Sequence, residues 1–164
     1  MHKEYVAVDL ETRGLITKGV IPEIICVSVV GKDFEWCQPW DEIRKEALTF
    51  LSSEYTLVFH NSSFDRAVLR GHGVMVPRYE DTMIMSYCWE PSGEHSLAEW
   101  GERLNFPKLK KPWEGAYPTE WSDDLWEYCL NDARLTYKLY FYLREWLASD
   151  RTTLELYYNV ELPY

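Results

Sequence analysis

Apolar residues arrive along the chain in two rhythms. Tyr5 to Leu10 is a short run of β-formers that predicts a buried strand. Ile21 to Val30 is a second such run, and Gly31-Lys32-Asp33 makes a turn into a third strand around Phe34 to Cys37. These three predict an antiparallel meander with short connections. Thr56 to His60 is a fourth strand. Between them the period lengthens: Ile43, Ala47, Leu48 and Leu51 share one stripe of a helix from about Glu42 to Ser52, with Asp41 able to cap it. A second helix runs from about Ser63 to Gly71, where glycine ends it. Asp81 precedes Thr82-Met83-Ile84-Met85 as an N-cap, and Ser96 does the same for Leu97 to Leu104. Phe106 to Trp121 holds three prolines and no periodicity, so it reads as a loop. Ser122, followed by Asp123 and Asp124, opens the longest helix, through about Leu147. Strands come first and then alternate with helices, which predicts an α/β domain with a mixed sheet.

The length, 164 residues, suits one domain over 1–164. Aromatic residues make up 16% of the chain, and large rings filling a core account for them better than a base-stacking surface. No apolar run approaches the length of a membrane helix, and the N-terminus lacks a signal-peptide pattern. Cys26, Cys37, Cys88 and Cys129 show no metal-type spacing and read as reduced thiols of a cytoplasmic protein. Charge changes the picture more. With 17 basic and 27 acidic residues the net charge is −10, which argues against a protein gripping nucleic acid by electrostatics alone. It leaves open an enzyme acting on nucleic acid through divalent cations, which need carboxylates.

Three places carry candidate chemistry. Asp9-Leu10-Glu11 ends the first strand, and alternation points both acids to one side. Two like charges there are unfavourable unless a cation or a proton relieves them. Asn61-Ser62-Ser63-Phe64-Asp65 follows the fourth strand and puts Asp65 in the first turns of a helix. Tyr128 and Asp132 stand i, i+4 on the long helix, at the margin of its buried stripe, where an acid needs a partner.

Together these segments resemble the exonuclease family named for its four acids, the DEDD superfamily. Asp9/Glu11 match its first motif, Asn61/Asp65 its second and Tyr128/Asp132 its third. Tyr128 at four residues before Asp132 matches the tyrosine subclass. Asp81-Thr82-Met83 and Ser96-Leu97-Ala98-Glu99 resemble the proofreading domain of the DNA polymerase I family, and Asn159 to Pro163 resembles the junction with the polymerase proper. The resemblance implies a ribonuclease-H-like fold, a mixed five-stranded sheet flanked by helices. It also implies two divalent ions, Mg²⁺ or Mn²⁺. Asp9 would bridge them, Glu11 and Asp132 would complete the first site, Asp65 would hold the second, and Tyr128 would orient the attacking water.

Carried over position by position, Thr12 and Leu15 would touch the terminal base and sugar, and Asn61 and Phe64 would lie near the scissile phosphate. Phe64 stands where the polymerase members often carry Tyr. His95 is either a basic substrate contact or part of the capping structure. Lys108-Leu109-Lys110-Lys111-Pro112-Trp113 is the one basic cluster beside an aromatic ring; it reads as a solvated loop, with strand steering as the alternative. The resemblance implies a DNA 3′ end as substrate, nucleoside 5′-monophosphates as product, and proofreading beside a DNA polymerase domain or subunit, in a bacterial or phage-infected host cytoplasm. The stop at Tyr164 suggests an excised domain or a polymerase split between chains. An RNA-trimming exonuclease is the runner-up, and a docking module without catalysis is the non-enzymatic reading.

Overall fold

The computed structural model describes residues 4–43 and 45–163. Position 44, inside the first expected helix, and Tyr164, at the end of the junction-like segment, lie outside the described residues. The described residues form five strands: β1 (Tyr5–Thr12), β2 (Ile24–Val30), β3 (Glu35–Pro39), β4 (Thr56–Phe59) and β5 (Tyr79–Asp81). They form one sheet in the order β3-β2-β1-β4-β5. The meander pairs β1–β2 and β2–β3 antiparallel, whereas β1–β4 and β4–β5 are parallel. The helices are α1 (Lys45–Glu54), α2 (Ser62–Gly71), α3 (Thr82–Trp89), α4 (Leu97–Arg103), α5 (Asp123–Ser149) and α6 (Arg151–Leu156). The mixed α/β architecture is the expected ribonuclease-H-like one.

The sheet is buried on both faces. Val6, Val8 and Leu10 of β1, with Val27 and Val29 of β2, pack against Leu48 and Leu51 of α1 and Val68 and Leu69 of α2. Ala7, Cys26, Val30 and Cys37 face the other way, onto Leu125, Cys129, Leu130 and Ala133 of α5. Further along α5, Leu135, Leu139, Leu143 and Leu147 close over Val58 and the α3 and α4 residues Met85 and Trp100. Each buried leucine contributes on the order of 2 kcal/mol by leaving water, so the α5 stripe fixes that helix firmly against the sheet.

Several boundaries differ from expectation for identifiable reasons. β2 begins at Ile24 rather than Ile21, because Pro22 interrupts the run and has no N–H for a ladder. Trp40–Glu42 form a separate single turn, so Asp41 sits inside that turn rather than at the start of α1, and Ala47 is exposed. β5, the fifth strand that the resemblance implies, has no apolar run to mark its place: it is three residues long, and two of them, Glu80 and Asp81, are buried acids. The C-terminal return was not foreseen, where α6 leads into a wide turn over Tyr157–Glu161. There the Tyr157 hydroxyl donates to Glu80 Oε2 at 2.5 Å and accepts from the Asp81 N–H at 3.0 Å, stitching the chain end to β5. Ser96 and Ser122 cap α4 and α5 as expected, accepting from the N–H groups of Glu99 and Leu125.

Candidate active site

Alternation along β1 decides which acids meet. With Val6, Val8 and Leu10 turned toward α1 and α2, Asp9 and Glu11 take the face covered by α5. On α5 the i, i+4 spacing brings Tyr128 and Asp132 to that same face, 4% and 3% exposed. Ligand oxygens of Asp9, Glu11 and Asp132 consequently lie within 4.8 Å of one another. Asp9 Oδ2 and Asp132 Oδ1 are enclosed and accept no hydrogen bond.

The electrostatics follow from this crowding. Burial pushes the Asp9 carboxyl well above the usual carboxylate range, and the charges of Asp132, Glu11 and Asp65 push it further. Glu11 rises to about 7, by burial first and Asp132 next. Burial raises Asp132 as well, against the pull of Lys108. Three crowded acceptor groups, two of whose oxygens receive no donor from the described residues, fit a hard dication, since every ligand atom is a carboxylate oxygen.

Asp65, from the first turn of α2, stands outside the 4.8 Å triangle but within its field. It is 7% exposed, and burial, then the charges of Asp81 and Glu11, raise its carboxyl well above the ordinary range. Its position depends on how α2 starts. Asn61 adopts the left-handed conformation (φ 75°), which Asn tolerates better than most residues. The N–H groups of Asn61 and Ser62 then donate to the Asp81 carboxylate at 3.2 and 2.6 Å, while Met83 and Ile84 N–H donate to it from α3. One buried acid therefore clamps the first turns of two helices. Sequence reasoning found its capping of α3 and missed its grip on α2, which crosses 20 residues of chain.

The loop after α4 corrects a second expectation. Leu109 to Pro112 are exposed, as a solvated loop would be, but the Lys108 side chain is not: its ammonium lies 2.9 Å from Asp132 Oδ2 and 5.2 Å from the centre of the Tyr128 ring. Trp113, from the same segment, packs edge-on against Tyr128 with ring centres 4.9 Å apart.

A family model described as 3′-5′ exonuclease matches residues 1–148. The chain belongs to this exonuclease family. Solved structures agree in fold. NrnC of Brucella melitensis superposes with a TM-score of 0.75 at 24% identity, over 94% of this chain and 78% of its own. The catalytic core of RRP6 from Trypanosoma brucei gives 0.77 at 20% identity, over 98% of this chain and 45% of its own. Pol1 from M. smegmatis, in complex with DNA primer-template and dNTP, gives 0.71 at 18% identity, over 99% of this chain and 27% of its own. Comparison with curated protein sequences gives no match.

Within this exonuclease the remaining candidates are placed differently from one another. Leu15 is 58% exposed, on the β1–β2 connection beyond Glu11. The Thr12 hydroxyl is turned inward and donates to the Gly14 carbonyl at 2.7 Å. Asn61 is exposed and its Oδ1 accepts from the Ser63 hydroxyl, while Phe64 is half-buried against the α1–α2 core. His95 is built into the fold: Nδ1 meets the Ser86 hydroxyl at 2.7 Å, its carbonyl meets His60 Nε2 at 2.9 Å, and its ring stacks on Tyr87.

Three of the four cysteines also converge. Cys26, Cys37 and Cys129 bring their sulfurs within 4.8 Å of one another, with Cys26 and Cys129 at 3.1 Å. Their spacing gave no warning, because the thiols come from β2, β3 and α5. All three are buried, and with the Ser28 hydroxyl donating to the Cys129 carbonyl at 2.9 Å they join the meander to the helix behind Tyr128.

Proposed function

We propose that this chain is a metal-dependent 3′→5′ exonuclease of the tyrosine subclass that shortens DNA from its 3′ end and releases nucleoside 5′-monophosphates. The observation that carries the reading is the triangle of Asp9, Glu11 and Asp132, with two enclosed oxygens that accept no hydrogen bond. These three and Asp65 would hold two Mg²⁺ or Mn²⁺ ions. Bound there, such ions activate a water and stabilise the departing oxygen. A structure of NrnC, at 23% identity, is described with bound Mg²⁺.

The chain's own groups have distinct work. Asp9 is central, because the charges of Asp132, Glu11 and Asp65 all converge on it and raise it. Burial, and then the charge of Asp132, raises the Tyr128 hydroxyl, so it stays protonated at neutral pH and serves as a hydrogen-bond donor rather than as a base. Leu15, exposed on the β1–β2 connection, would pack against the terminal nucleotide, and Asn61 would approach the phosphate next to Asp65. The net charge of −10 suits a domain whose grip on DNA comes from a polymerase domain or subunit beside it.

RNA is the second reading, and it has support of its own. NrnC is described bound to pGG, and another fold neighbour is E. coli RNase D, described as an exoribonuclease involved in structured RNA processing. The DNA reading rests on the segments at Asp81, Ser96 and Asn159 that resemble a polymerase proofreading domain. Matched 5′-labelled DNA and RNA strands, each with Mg²⁺ or with a chelator, test both. The expected result is a Mg²⁺-dependent ladder shortening from the 3′ end, faster on DNA. Faster loss of RNA would transfer the assignment, and no ladder on either strand would defeat it.

A further inference from the structure

Lys108 belongs to a segment without regular structure, yet it is held in place. Asn131, the residue before Asp132, donates from Nδ2 to the Pro107 carbonyl at 3.2 Å. Gly101 of α4 lets the loop backbone come close: a Cβ there would meet the Phe106 carbonyl at 2.9 Å and the Lys108 nitrogen at 3.3 Å. Trp113 anchors the far end on Tyr128. The loop is thus fastened on both sides of Lys108, and the side chain runs down to Asp132 with 26% of its surface exposed. Burial alone would pull the ammonium down, but Asp132 more than reverses this and holds it above its ordinary value.

The acids need positive charge, and Lys108 supplies one unit of it from within the chain. It occupies Asp132 Oδ2, while Asp132 Oδ1 and Asp9 Oδ2 remain without partners. A dication drawn to the triangle must use Asp132 and must therefore compete with an ammonium already paired there. At about 4 Å, a unit charge near a protein surface is felt at several times thermal energy.

We propose that Lys108 is a positioning residue that acts through Asp132. Before ions arrive it holds the α5 acid toward Asp9 and Glu11, and it sets the ion affinity by competing for the same oxygens. This rests on the metal-binding reading given above. The loop that carries Lys108 is then a gate on cation loading.

The test is calorimetric titration of the full chain with Mn²⁺ alone, at low ionic strength, beside thermal unfolding in chelator. Lys108→Met and Lys108→Gln should bind Mn²⁺ about tenfold more tightly than the parent, because the competing charge is gone. Both should melt earlier in chelator and gain more from Mn²⁺. Lys108→Arg should restore parental affinity. Unchanged or weaker binding in both uncharged variants, with circular dichroism intact, would overturn the role of Lys108. An arginine variant that behaves like the methionine one would overturn the charge explanation. A parent chain that binds no Mn²⁺ would instead defeat the metal-site reading beneath it.

Discussion

Asp9 carries two demands that conflict when no cation is near: it is held on the α5 face of the sheet by strand alternation, and three other carboxylates surround it. Asp9→Asn should lower exonuclease activity by several orders of magnitude and yet raise the melting temperature in chelator by a few degrees. A relief of roughly 1 kcal/mol moves the melting point by about 2–4 °C in a domain of this size. Tyr128→Phe should reduce turnover far less, because the acids remain. Loss of activity together with a lower melting point in Asp9→Asn would mark it as an ordinary structural acid. His60 gives a pH signature away from the acids. Burial holds its imidazole down at about 4, against an ordinary 6.5, with Nε2 on the His95 carbonyl and Nδ1 on the Thr82 hydroxyl. Between those values the unfolded chain binds the proton and the fold does not. His60 therefore adds stability above about pH 6.5 that is lost as pH falls toward 4, amounting to roughly 3 kcal/mol when complete. His60→Gln should flatten that acid limb in urea unfolding, and an unchanged slope would contradict it.

At the scale of elements, the site depends on two ends, one start and one crossing: the ends of β1 and β4, the N-terminus of α2, and the passage of α5 over the sheet. Asp81 controls one of these without joining the acid triangle. Asp81→Ala strands four N–H groups at the openings of α2 and α3 and should cost about 2–4 kcal/mol in urea unfolding. Exonuclease activity should fall with it, because Asp65 sits in the first turn of the helix that loosens; a variant of parental stability would show that the clamp is dispensable. The sequence displayed α4 and α5 clearly, since serine caps are local signals, and glycine marked the end of α2. The three acids at β1 and α5 were readable from alternation and the i, i+4 rule. β5 was not, because its buried acids Glu80 and Asp81 break every hydrophobic pattern and are satisfied by Tyr157, 77 residues away, and by backbone N–H groups. Lys108 was misread for a related reason: a basic loop looks solvated until its partner on another element is known.

Across the whole molecule, one sheet with helices on both faces turns separate short motifs into a single acidic cluster. The chain is acidic overall, and among the described residues no helix is long and apolar enough to cross a membrane, so no bulk property announces the site. What distinguishes it is local: carboxylates massed at the strand ends, a tyrosine and an aspartate leaning in from α5, and a lysine standing among them. The central claim is that this cluster takes dications. Crystals soaked in Mn²⁺ and measured at its absorption edge report directly on that. The account predicts an anomalous peak among Asp9, Glu11 and Asp132, with Lys108 turned away from Asp132. An intact fold with no peak there, and the lysine still paired, would contradict it.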